Sequence, residues 1–164
     1  MTAQDPAPVF TTEASSRVLL VSAVVLGAAS AAVLVFWLVA RPGVDFLVLL
    51  LGLVFALLSC LAPARVRVTA GPAGLVVESV PLGFALAQYG LDEIADARVE
   101  PVSLRSWVGW GFRFTAGGSG VILRGGPALV LELISGKTFT VTLPGADAEA
   151  ALTALEDAAD AARP

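Results

Sequence analysis

Histidine is absent from this 164-residue chain, cysteine and methionine occur once each, and Lys137 is the only lysine. Without histidine there is no Ser-His-Asp triad, no histidine metal ligand and no ordinary proton shuttle near neutral pH. One cysteine, Cys60, excludes an intramolecular disulfide and every cysteine-cluster metal site. Charge is scarce as well, at 15% of residues with a net value of −4, so nucleic acid, which needs a basic surface, is not an expected partner. The glycine-rich stretches 117–120 and Gly125-Gly126 lack a P-loop lysine and precede no helix, so they read as hairpin turns. Asp92 and Glu93 would point to opposite faces of a strand, which suits turn and cap chemistry better than acid–base work. These absences disfavour an enzyme and imply no cofactor and no metal.

Charge is missing above all from two apolar runs, Val18 to Ala40 and Phe46 to Ala62, separated by the segment RPGVD. The first run, 23 residues, is about 35 Å long as a helix and exceeds a hydrocarbon core of about 30 Å. Thirteen of its residues are Val, Leu or Phe, which favours insertion by roughly 4 to 8 kcal/mol. The second run, 17 residues, lies at the lower limit for a span. Pro42 and Gly43 stop the first helix, and Asp45 is placed to N-cap the second. Residues 17–62 are therefore expected to form an antiparallel transmembrane hairpin. Small residues recur every fourth position, Ala23, Gly27 and Ala31 on one helix and Gly52, Ala56 and Cys60 on the other, and suggest a packing face within the hairpin or in a homodimer. A signal peptide ending at Ala29-Ser30-Ala31 is a poor fit, because no basic n-region exists beyond Arg17 and the apolar run continues past it. Arg17, Arg65 and Arg67 flank the hairpin while Arg41 alone occupies its turn, which favours cytoplasmic termini in a multi-pass protein. Residues 1–16, polar and carrying Pro6 and Pro8, are expected to form a disordered tail.

From Arg65 onward the apolar period becomes two, broken by glycine and proline turns, as in an antiparallel sheet protein. Strands are expected at Arg65–Ala70, Leu75–Val80, Ala85–Tyr89, Ile94–Glu100, Gly111–Thr115, Val121–Arg124, Ala128–Ile134 and Lys137–Leu143. Leu129, Leu131 and Leu133, a Ser135-Gly136 turn, then Phe139, Val141 and Leu143 against Thr138, Thr140 and Thr142 describe a hairpin with one buried face. Residues 146–162 switch to a helical pattern, with Ala148, Ala151, Leu152, Leu155, Ala159 and Ala162 on one side. Such a helix would close the open end of a β-barrel or sandwich, with Leu152 and Leu155 as plugs.

The opening GPAGLVVES, the LDEI at Leu91 to Ile94, the run SWVGWGFR and the closing RGGPALVLELISGKTFTV resemble a family of small bacterial membrane proteins. Its members carry a bacterial pleckstrin-homology-like (PH-like) domain after two transmembrane helices, and the likeness is closest to actinobacterial forms. The resemblance spans about residues 63–162 of the domain at 63–164, together with the hairpin, and implies a seven-stranded barrel-like sandwich capped by a helix, with a mostly unassigned biochemical role. Of the eight strand-like runs, Gly111–Thr115 is then the one expected to be irregular.

Only Pro63 and Ala64 separate the second span from the first strand, so the domain should lie against the inner face of the bacterial cytoplasmic membrane. Arg65, Arg67, Arg105, Arg113 and Arg124 are candidate contacts for anionic lipid, each contributing about 1 kcal/mol if they share a face. Trp107 and Trp110 suit either a membrane interface or the core of a small barrel. The sequence thus leads to the expectation of a membrane-anchored binding or scaffold module for another membrane protein, with anionic-lipid sensing as the alternative.

Overall fold

A computed structural model describes residues 9–40, 43–107 and 109–163. Two apolar helices, α1 (Arg17–Ala40) and α2 (Val44–Leu61), lead into a β-rich domain closed by α3 (Gly145–Ala162). α1 is long and apolar enough to cross a membrane, and α2 contains a shorter apolar stretch, Phe46–Leu61. The helices pack antiparallel: Phe36 and Phe46 sit with ring centroids 5.3 Å apart near the turn, and a β-carbon on Gly27 would lie 3.9 Å from Leu57. Only 17% of α1's apolar window is buried, so neither the partner helix nor the domain covers most of its surface. The hydroxyls of Ser30 and Ser59 donate to the carbonyls of Leu26 and Phe55, each at 2.8 Å, so both are satisfied within their own helix.

The helix seam departs from the four-residue spacing. On α1 the buried positions are Leu19, Ala23 and Ser30, with Gly27 half-buried and Ala31 exposed. Four helical residues overshoot one full turn by about 40°, so a contact stripe alternates threes and fours and leaves Ala31 behind. On α2, Ala56 and Cys60 are half-buried, but Gly52 is exposed with open space around it. Gly43, not Asp45, occupies the N-cap of α2, whose helical hydrogen bonding begins one residue before Asp45. Arg41 and Pro42 lie outside the described residues.

The domain consists of two sheets. One has the order β1-β2-β3-β4, with β1 Phe10–Ser15, β2 Arg65–Gly71, β3 Gly74–Ser79 and β4 Phe84–Tyr89. The other has the order β5-β8-β9-β7-β6, with β5 Ile94–Val102, β6 Gly111–Thr115, β7 Gly118–Ile122, β8 Gly126–Leu133 and β9 Thr138–Thr142. Nine strands stand among the described residues, where the family resemblance implies seven. Residues 10–15 are not a disordered tail: β1 pairs with β2 along its whole length, from Phe10 opposite Ala70 to Ser15 opposite Arg65. Residues 1–8 of that expected tail lie outside the described residues. Gly111–Thr115 is a regular strand paired with β7, not an irregular segment. β7 and β9 run parallel, so the expectation of a purely antiparallel domain fails at this one pairing.

The core fills the space between the sheets and α3. Val66, Val68 and Ala70 alternate inward from β2, Leu75 and Val77 from β3, Leu129 and Leu131 from β8, and Phe139 and Val141 from β9. α3 contributes Ala148, Ala151, Ala154, Leu155 and Ala158 and packs on both sheets, mainly against β2 and β8. Leu155 is the buried plug, whereas Leu152 is half-buried and Ala162 exposed. The threonine side of the last hairpin is not solvated. Thr140 and Thr142, with Ile122, Ala128 and Val130, are buried outside the main core, and the Trp107 ring packs on that face over Gly120.

Glycine in β7 has a steric reason. A β-carbon on Gly118 would collide with the Thr138 carbonyl across the parallel pair, while Gly117, one residue earlier in the turn, has open space. The glycines at 118 and 120 are therefore strand residues that permit close approach, not turn residues. Gly118→Ala is expected to destabilise the protein by about 1–3 kcal/mol, and Gly117→Ala by less than about 0.5 kcal/mol. Thermal unfolding of the two variants in the same detergent distinguishes them, and equal midpoints would contradict the close β7–β9 approach.

Candidate functional site

The five arginines singled out in the sequence fall into two groups. Arg65 and Arg67 project from the exposed face of β2, and both are engaged by Glu13 on β1, at 2.6 and 2.8 Å. Arg67, then Arg65, hold the Glu13 carboxyl below its ordinary value. One carboxylate thus offsets half the charge of the pair closest to the helices. Glu78, on β3, stands opposite Arg67 in the strand register.

Arg105, Arg113 and Arg124 belong to the other sheet and are all exposed. None of the three forms an ion pair among the described residues. Arg105 lies on the β5–β6 loop and Arg124 on the β7–β8 loop. The loops meet where a β-carbon on Gly125 would lie 3.9 Å from Leu104. Arg113, on β6, brings Nη2 within 3.4 Å of the corresponding position at Gly109 in the same β5–β6 loop. At Gly111 the loop's end approaches Pro63, whose Cγ would be 3.5 Å from an added β-carbon. These three arginines therefore share the end of the sandwich where α2 delivers the chain.

The tryptophans divide in the same neighbourhood. Trp107 is half-buried against Gly120, whereas Trp110 remains 39% exposed beside Gly111. Trp107 thus has a packing role, and Trp110 is available at the surface near Pro63.

A charge cluster that the sequence reading missed lies on β5 and β8. Arg98 contacts Asp96, Glu100 and Glu132 at 2.6–3.2 Å, and these three carboxylates push its already high pKa further up. Asp96 and Glu132 are directly opposite in register, where like charges repel, and Arg98 bonds both. The alternation Asp96, Arg98, Glu100 was the available signal, since residues two apart share a face. With one base against three acids, this surface is net acidic, in contrast to the arginine-bearing loops.

At the end of the sandwich away from Pro63, a half-open cleft of about 630 Å³ is bordered by Tyr89, Asp92, Phe114, Ile134 and Lys137. Phe114, on the edge strand β6, is 80% exposed, and Ile134 is 70% exposed. The Phe112 and Phe114 rings meet edge-on at 4.9 Å, which fixes the orientation of the exposed ring. No group of three or more metal-ligating side chains occurs among the described residues. The cleft offers apolar lips, Phe114 and Ile134, with Asp92 and Lys137 beside them.

Comparison with protein-family models, curated proteins and solved structures finds no match to this chain.

The lowered Glu13 value fixes a pH dependence. Because the folded-state value lies below the unfolded one, the contribution is complete above the ordinary value of 4.5 and is lost as pH falls through the lowered value. Glu13→Gln is expected to lower the unfolding midpoint at neutral pH, with the gap to the wild type closing on acidification below about pH 4.5. A gap that stays constant from neutrality to about pH 3 would show that the ion pairs do not hold β1 in place.

Proposed function

We propose that the protein is a membrane-anchored, PH-like binding module whose domain binds an extended segment of another membrane protein. Both helices cross the cytoplasmic membrane in this reading, with the termini and the domain on the cytoplasmic side. The uncovered apolar surface of the hairpin supports a bilayer setting: Val24, Val39, Val48 and Phe55 are each 69–80% exposed, a surface that water would penalise. Arg17, Arg65 and Arg67 on the domain side, against Arg41 in the turn, support the orientation.

The observation that carries the binding reading is β6. Among the described residues it pairs only with β7 and forms a sheet edge, and near its end it carries the exposed Phe114 at the lip of the cleft. An extended peptide could add to this edge through backbone hydrogen bonds and place an apolar side chain against Phe114 and Ile134. A photo-crosslinking residue at Phe114 in native membranes is expected to give a defined adduct that the same residue at Glu100, on the opposite edge strand, does not. Equal labelling at both positions, or none at Phe114, would count against it.

A second reading, contact with anionic lipid headgroups, is favoured by the three arginines on the side of Pro63 that have no carboxylate partner among the described residues. Nanodiscs rich in phosphatidylglycerol are expected to raise the unfolding midpoint of the full chain by several degrees over phosphatidylcholine nanodiscs. Replacing Arg105, Arg113 and Arg124 together by Gln, or adding salt, should remove that increment, because exposed charges are screened. An increment unaffected by both changes would exclude this contact.

A further inference from the structure

The β3–β4 turn, Val80 to Gly83, stands beside the last two turns of α2. From Ser79 to Leu91, between Glu78 and Asp92, the chain carries no charge. Three hydrogen bonds fix the turn's place: Val80 N–H donates to the Arg65 carbonyl at 3.0 Å, Gly83 N–H to the Ser79 carbonyl at 2.8 Å, and Leu82 N–H to Ser79 Oγ at 3.4 Å. Since Arg65 follows α2 by only a few residues, the turn cannot move independently of the helix end.

Leu82 and Phe84 join Phe55, Leu58, Ser59 and Ala62 around one shallow apolar niche of about 500 Å³. Its single polar side chain, Ser59, is already committed to the Phe55 carbonyl. Phe55 is 74% exposed and Phe84 is 49% exposed, so the niche is an open surface and not a closed core. Phe55 precedes the end of α2 by six residues, about 9 Å along the axis, which extends the niche well below the helix end.

We infer that Leu82 and Phe84 are immersed in the bilayer beside α2, so that the β domain enters the acyl-chain region by its own turn. The occupant of the niche is then lipid acyl chain. This follows from continuity, because one unbroken apolar surface includes both the outward side of α2 and the turn, and the medium that bathes Phe55 and Leu58 also reaches Phe84. The placement also complements helix length. At 18 residues α2 measures about 27 Å, short of a hydrocarbon core of about 30 Å, and an apolar turn packed at its end extends the apolar belt on that side. The inference rests on the reading that the hairpin lies in a membrane.

The test uses the full chain with Cys60→Ser, reconstituted in vesicles of phosphatidylcholine and phosphatidylglycerol. A nitroxide is attached in separate samples at Phe84→Cys, Phe55→Cys and Ile134→Cys. Collision rates are measured with oxygen, which partitions into lipid, and with a water-soluble nickel chelate. The oxygen-to-chelate ratio is expected to be several-fold higher at positions 84 and 55 than at 134. A chelate-accessible position 84 with a lipid-accessible position 55 would overturn the immersed turn while leaving the hairpin reading intact. Chelate access at position 55 would overturn both. Leu82→Cys provides the same reading at a second position should the label at 84 prevent folding, and a water-exposed label there would equally defeat the inference.

Discussion

The structure depends on one strand pair. β1 runs directly into α1, α2 returns the chain to β2, and β1 and β2 pair in full register. The ladder extends to the helix ends, where Ser16 N–H donates to the Ala64 carbonyl at 2.9 Å. Ser16 also starts α1, with its carbonyl accepting from Leu20 and its hydroxyl from Leu19. The hairpin and the domain are thus joined by hydrogen-bonded backbone on both strands and not by a flexible tether. Any tilt of the helices must be transmitted to the sheet, and the same turns and loops always face the helix ends. Thr12 adds a bond from β1 to Asp147 in the first turn of α3, so the helix that closes the core is tied to the same strand.

Charge follows this geometry. Glu13 binds the two arginines nearest the helices, and Arg98 gathers three carboxylates on β5 and β8, while α3 adds acids on its outer side. Among the basic residues with no carboxylate partner in the described residues, Arg105, Arg113 and Arg124 gather on loops and a strand near Pro63, while Arg17 starts α1 and Lys137 borders the cleft at the other end. Exposed ion pairs of this kind contribute little to stability individually. Their larger effect is to decide which basic groups stay available, and a count of arginines along the sequence cannot reveal that.

The elements with strong periodicity were legible in the sequence: both apolar helices, the β8–β9 hairpin and α3. β1 was not, because FTTEAS has one large apolar residue in six and faces the core with Phe10, Thr12 and Ala14, too weak an alternation to stand out from a polar tail. The strand expected at Val121–Arg124 is β7 with its bounds shifted to Gly118–Ile122, and its start was hidden by glycines that read as turn residues although a packed neighbour demanded them. The buried threonines of β9 misled for a related reason: a period of two identifies two faces but does not say that both are covered. Trp107 covers the second face, and its distance in sequence from Gly120 put that contact beyond local pattern. Among the candidate site residues, the grouping of Arg105, Arg113 and Arg124 depends on loop–loop contact, and the loss of Arg65 and Arg67 to Glu13 depends on the unrecognised strand. Of the small-residue faces, Ala23, Gly27, Ala56 and Cys60 are at least half-buried in the single chain, whereas Ala31 and Gly52 are exposed.

Sheet edges bring the two ends of the domain into one account. A sandwich of two separate sheets has four edges, and among the described residues these are β1, β4, β5 and β6. An unpaired edge invites another strand unless charge, bulges or a covering element blunt it. β1 carries Glu13 in an ion-pair network and β5 carries Asp96, Arg98 and Glu100, and both pack against α3. β4 has no charged residue at all, and only a register shift near Leu86 interrupts it, while β6 has the single charge of Arg113. The unguarded edges are the two against which α3 does not mainly pack. At its start β4 has Phe84 against α2, in the niche assigned to lipid, and at its finish Tyr89 beside the cleft that Phe114 borders. A domain held rigidly against a bilayer faces fewer partners than a free one, because its orientation restricts which strands can approach. Under the membrane reading proposed above, that restriction makes two exposed edges tolerable and would select an extended segment that already runs along the membrane.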